Sequence, residues 1–173
     1  MTDRRTFLRG ASVLMGHAAF GQVMTAFAAA PRNTTFFSEA EMATLTALVD
    51  VVIPATDSPA ASAADTHYFI DLALPACASA AAQTTFRAGL ASLVQASFAS
   101  AGAADKVALL EARATADMAL EYDESFFKIL KDYTLTGYFL SEVGATQALA
   151  YERVPGGFQG DVLLAANQKA WAI

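Results

Sequence analysis

The sequence holds one cysteine, two histidines, one tryptophan and five prolines in 173 residues, and its eleven basic residues are outnumbered by seventeen acidic ones. A single cysteine, Cys77, excludes an intramolecular disulfide framework. A formal charge of −6 without a long basic stripe leaves no electrostatic footprint for nucleic acid, which is set aside as a partner. No Gly-x-Gly-x-x-Gly enters a helix after a strand, and no Cys-x-x-Cys-His is present, so neither a dinucleotide fold nor covalent haem attachment is expected. Gly156, Gly157 and Gly160 lack the preceding strand and the following lysine and hydroxyl of a phosphate loop. The chain is also short for a self-contained multidomain flavin or nicotinamide enzyme.

What is abundant is alanine, 40 residues of it, within an apolar fraction of 55%. Alanine loses no side-chain entropy in a helix and has little to pack on a pleated sheet, so the composition predicts an all-α fold. Apolar spacing predicts a compact bundle of about five helices, over Glu39 to Ile53, Asp65 to Pro75, Thr85 to Phe98, Ala104 to Leu120 and Glu124 to Leu140. Ser38 with Glu41 forms a capping box for the first, and Phe37 is placed to staple Met42. In the fourth, Val107, Leu110, Ala114 and Met118 read as inward and Asp117 as outward or lateral. The fifth reads as the central rod, and Gly137 inside it calls for a close crossing that offsets its helix cost of about 1 kcal/mol. Past about residue 141 the glycines, Pro155 and the aromatics read as an irregular carboxyl-terminal extension that needs another surface to lie on.

The amino terminus reads as a targeting segment rather than part of the fold, either cleaved or kept as an anchor. Arg4 and Arg5 are followed by Phe7 and Leu8, then by a mildly apolar stretch broken by Gly16, His17, Gly21 and Gln22, and Ala26-Phe27-Ala28 supplies a cleavage site. The pattern resembles a twin-arginine export signal over residues 1–28, with Asp3 where serine or threonine is usual. A linker over 29–37 and one helical domain over 38–173 follow. Loss of residues 1–28 removes three arginines and one aspartate, moving the net charge from −6 to −8. Folded export suits a protein that must acquire a cofactor or partner in the cytoplasm. With no cofactor motif of its own, the chain is expected to travel with a partner through the twin-arginine translocase to the periplasm.

Candidate chemistry is sparse. His67, between Asp65 and Asp71, can share a helical face with Asp71 and hold a metal weakly, but capping by Asp65 is the simpler reading. Glu121, Asp123 and Glu124 complement the dipole at the start of the fifth helix better than they make an acid and base pair. Cys77 reads either as a small buried hydrophobe near Leu74 and Ala76 or as an intersubunit disulfide. No catalytic, cofactor-binding or metal residue is assigned.

Four segments taken in order carry a resemblance: Asp50-Val51-Val52-Ile53-Pro54-Ala55-Thr56-Asp57-Ser58-Pro59, Phe69-Ile70-Asp71, Gly137 through Ala145, and Tyr151 through Val154-Pro155-Gly156 to Gly160. With the leader, they are similar to the gluconate 2-dehydrogenase subunit 3 family. The resemblance implies a noncatalytic small subunit of a periplasmic, membrane-associated dehydrogenase. FAD would sit in a larger partner of the glucose-methanol-choline type, and haem c in a multihaem cytochrome c subunit. It also implies that the small subunit stabilises the flavoprotein and escorts it through export. The expected interface is Tyr138, Phe139, Tyr151, Val154, Pro155, Phe158 and Trp171, since aromatic anchors dominate binding energies, with ordinary core packing as the other reading of Tyr138 and Phe139. The alternative is a free periplasmic helical binding or structural protein.

Replacing both Arg4 and Arg5 by lysine is expected to hold this chain and its partner in the cytoplasm, read by fractionation and periplasmic dehydrogenase activity. Normal periplasmic activity in the double variant contradicts the escort role.

Overall fold

The computed structural model describes residues 36–150 together with 156, 161, 163, 166 and 168–171. Among them are five helices and no strand: α1 (Glu39–Val52), α2 (Thr66–Cys77), α3 (Ala80–Gln95), α4 (Ala103–Asp117) and α5 (Phe126–Phe139). Short 3-10 turns lie at Ala61–Ala64, Phe98–Ser100 and Tyr122–Glu124, and a π-helical turn at Gly144–Ala148. The all-α bundle expected from composition is the fold observed.

The first helix starts as its sequence dictates. Glu41 N–H donates to Ser38 Oγ at 3.4 Å while the Ser38 N–H donates to Glu41 Oε2 at 2.8 Å, which satisfies two otherwise orphaned donors. Phe37 and Met42 are both buried. The approach to α1 is stitched to α2, because Asp71 Oδ1 accepts the N–H groups of Phe36 at 3.0 Å and Phe37 at 2.8 Å. Arg87 on α3 closes the same corner, donating to Phe36 O at 2.6 Å with its guanidinium 3.9 Å from the Phe36 ring centre.

Three helices depart from the sequence reading at their ends. Helix α2 runs through Pro75 to Cys77. Proline deletes only its own N–H from the ladder, and Ala78 N–H still donates to Leu74 O at 3.0 Å, so the last turn closes beyond it. Helix α3 begins at Ala80, five residues before the apolar pattern does, because Ser79 caps it by accepting from Ala82 N–H at 3.1 Å and the alanines need no core face to be helical. It ends at Gln95 because Ser97 adopts a left-handed backbone, with φ of 54°. Helix α4 stops at Asp117, and two of its four inward assignments are corrected: Val107 is 44% and Met118 72% exposed, Leu110 is buried and Ala114 half-buried. Asp117, expected outward or lateral, is buried.

The core forms around α5, which packs against each of the other four helices. Phe126, Ile129, Leu130 and Tyr138 meet Leu45, Leu48 and Val49 of α1, Phe69, Ile70 and Leu74 of α2, and Phe86 and Leu90 of α3 in one buried cluster. Two glycines set how near the helices come. A β-carbon at Gly137 would lie 2.5 Å from Phe69 Cδ1, and one at Gly89 would lie 2.4 Å from the Phe126 ring. The close crossing that Gly137 called for is therefore with α2.

Gly137→Ala gains about 1 kcal/mol of helix propensity but forces a methyl into a filled seam, at an overpacking cost of about 1–3 kcal/mol. Net destabilisation of up to about 2 kcal/mol is expected from the two together, measured by urea unfolding. A raised urea midpoint contradicts this account of the α2–α5 seam.

Candidate functional site

Five of the seven buried polar residues described in the bundle, all but Thr66 and His67, serve its backbone. Asp71 holds the approach to α1, as above. Asp117 Oδ2 accepts from Phe127 N–H at 2.9 Å and from Ser125 Oγ at 3.2 Å, so it caps α5 from the end of α4, and Arg113 Nε lies 3.0 Å from Oδ1. Ser125 Oγ in turn accepts from Lys128 N–H at 3.1 Å. The start of α5 is thus capped by Asp117 as well as Ser125, while Asp123 accepts from Ser79 Oγ. Buried Thr44 and Thr134 donate to carbonyls one turn back.

His67 is buried, 9% exposed, and its Nδ1 has no hydrogen-bond partner. Burial pulls the imidazole below its ordinary value, opposed by Asp65 and Asp50. Asp71 turns one carboxylate oxygen to the Phe36 and Phe37 N–H groups. Asp65 occupies the cap position of α2 with a left-handed backbone, φ 56°, and its side chain makes no capping bond, which corrects that reading. Among the described residues no three His, Cys, Asp or Glu side chains gather as a metal-ligand group. No helix among them is long and apolar enough to cross a membrane.

The expected interface residues separate. Tyr138 is 1% exposed and its hydroxyl donates to Pro59 O at 2.7 Å, so it belongs to the core and ties α5 to the loop after α1. Phe139, edge-on to Tyr138, is 38% exposed beside Leu140. Trp171 is also exposed and bridges to Ala150, whose N–H donates to Ala170 O at 2.8 Å. Lys169 Nζ donates to Gln147 O and sits near enough to Asp57 to add to the lowering of that carboxyl, which the Thr56 hydroxyl chiefly causes. The loop after α1, the end of α5 and the carboxyl-terminal residues therefore share one end of the bundle. Arg4, Arg5, Phe7, Leu8, Tyr151, Val154, Pro155 and Phe158 lie outside the described residues. Cys77 is exposed, which corrects its reading as a buried hydrophobe, and partial burial raises its thiol.

Concavities among the described residues include a groove and a pocket. A groove of about 270 Å³ between α1, α4 and α5 is lined by Val51, Val52, Val107, Leu110 and Phe127. A pocket of about 320 Å³ opens between the end of α2, the start of α3, the 122–124 turn and α5. In it, Tyr122 OH donates to Asp132 Oδ2 at 2.9 Å, and the Tyr133 phenol is pushed up to about 12, chiefly by burial. Sequence reasoning had no signal for this pocket, whose lining comes from four separate segments.

The sequence profile of gluconate 2-dehydrogenase subunit 3 matches residues 39–156, a span that contains all five helices. The chain belongs to the gluconate 2-dehydrogenase subunit 3 family. That membership is consistent with a place as an accessory subunit of a dehydrogenase complex. Comparison with curated proteins and with solved structures gave no match.

His67 gives this subunit-3 fold a pH dependence. The unfolded imidazole takes its proton near an ordinary value of about 6.5, whereas the folded one does so only at lower pH. The unfolded state binds more protons in that window, so stability should fall as pH drops below about 6.5 and this contribution should level off beneath the folded value. Urea unfolding between pH 5 and pH 8 should show a slope that His67→Gln reduces; identical slopes contradict it.

Proposed function

We propose that the chain is the noncatalytic small subunit of a periplasmic, membrane-associated dehydrogenase related to gluconate 2-dehydrogenase. It stabilises a larger FAD-binding subunit and escorts it, already folded, through twin-arginine export. The single observation that carries the reading is the family match running from α1 past the end of the bundle. Two further features support it. The interior carboxylates of Asp71 and Asp117 are engaged by backbone donors, which is structural employment. Apolar side chains are meanwhile left outside: Phe139, Leu140 and Trp171 at one end, and Val107, Leu109 and Met118 along α4. Exposed aromatic and apolar groups of this kind are what a partner subunit buries.

The flavin in this reading belongs to the large subunit, and a multihaem cytochrome c takes the electrons onward. The Arg4-Arg5 leader supplies the export address for the assembled pair.

Affinity purification of the full chain from its native host tests the assignment. The large subunit should co-elute, with a flavin absorbance spectrum and turnover of a sugar or sugar acid with an artificial acceptor. Turnover or bound flavin in the chain alone, or its elution as a free monomer with no flavoprotein, overturns the proposal.

A further inference from the structure

The pocket beside Cys77 has the wrong chemistry for a buried core defect and a fitting one for recognition. Its volume, about 320 Å³, sits at the low end of the about 300–1,000 Å³ that ligand sites span, closer to a side chain than to a cofactor. Aromatic rings of Phe69, Tyr122 and Tyr133 line it together with the carboxylates of Asp123 and Asp132, and no basic residue does.

Both carboxylates are answered only by neutral groups. Ser79 Oγ donates to Asp123 Oδ2 at 2.8 Å and Tyr122 OH donates to Asp132 Oδ2 at 2.9 Å. A hydroxyl fills a lone pair but leaves the negative charge in place. Two carboxylates beside aromatic rings in a concave wall are the chemistry that suits an organic cation. A guanidinium fits best, because its planar fork pairs with carboxylate while its face stacks on a ring. The chain as a whole, with a formal charge of −6, draws a basic surface toward it.

We propose that this pocket receives an arginine side chain of the large dehydrogenase subunit and is an anchor point of the complex. The inference rests on the small-subunit reading above. The rim is open to such a guest: Tyr122 is 41% exposed and Cys77 is exposed as well.

The test uses the complex made by co-expressing the full chain with its large subunit. The double variant Asp123→Asn, Asp132→Asn keeps side-chain shape while removing both charges, and it should weaken assembly at least tenfold at low salt, with the difference shrinking at high salt. Thr136→Arg, from α5 on the pocket wall, should place a tethered guanidinium in the site and block assembly while its circular dichroism stays native. Cys77 reports coverage directly: iodoacetamide should alkylate it at least tenfold more slowly in the complex than in the chain alone. N-acetylarginine amide should weaken assembly and its neutral citrulline counterpart should not.

Undiminished alkylation in an intact complex overturns the inference and leaves the small-subunit reading standing. Slowed alkylation with unchanged affinity of the double variant also overturns it, since the pocket would then lie under the partner without holding a cation. If the wild-type chain forms no complex, the small-subunit reading fails first and this inference with it, an outcome seen before any variant is made.

Discussion

A helix surrounded by other helices cannot leave its first N–H groups to water. Helix α5 touches α1, α2, α3 and α4, and Phe126 at its start is fully buried. An unsatisfied buried donor costs about 1–3 kcal/mol, so the bundle closes only if an acceptor is buried with the helix start. Asp117 is that acceptor, carried in by the last residue of α4. A buried carboxylate without partners would be costlier than the donors it serves. Here Phe127 N–H, the Ser125 hydroxyl and Arg113 surround it, and the positive end of the α5 dipole adds to their effect.

The same constraint explains how lightly α4 is otherwise held. Its one well-buried apolar residue is Leu110, and Asp117 and Arg113 tie it to the start of α5. Polar anchoring is directional and needs little area, so the rest of α4 is free to present Val107, Leu109 and Met118 outward. At the other end α5 is fixed by Tyr138, whose hydroxyl donates to Pro59 O from within the core. That bond holds the loop after α1 beside Phe139 and the carboxyl-terminal residues. The exposed Phe139 and Leu140 are thus carried on a helix end that Tyr138 fixes in the core.

The sequence made the helix count, the α1 capping box, the central place of α5 and the close crossing at Gly137 legible, because each depends on local spacing or on one residue's geometry. What it hid depended on partners distant in the chain. Asp117 looks like an exposed charge on a helical wheel, and only the return of Phe127 beside it makes burial favourable. Tyr138 and Phe139 are neighbours of similar character, yet one is core and the other surface, since successive helical residues face directions about 100° apart. The alanines before Thr85 are helical without an amphipathic pattern, so periodicity is silent about them. Cys77 follows Pro75 at the end of a helix, where the chain is leaving the core.

Position along the bundle sorts the acidic residues into two kinds. Asp50 accepts from both the N–H and the hydroxyl of Ser62, Asp71 from two backbone N–H groups, and Asp117 from a backbone N–H and a hydroxyl, with Arg113 ion-paired to it at 3.0 Å. Each closes a joint between elements, and its carboxylate is enclosed by donors. Asp123 and Asp132 meet only side-chain hydroxyls at the open seam between α2, α3 and α5. Charge that folding has already engaged has little left to offer a second molecule, whereas charge met only by hydroxyls keeps its long-range field. In this small acidic bundle the interior carboxylates hold the fold together, and the seam carboxylates keep their charge at the surface.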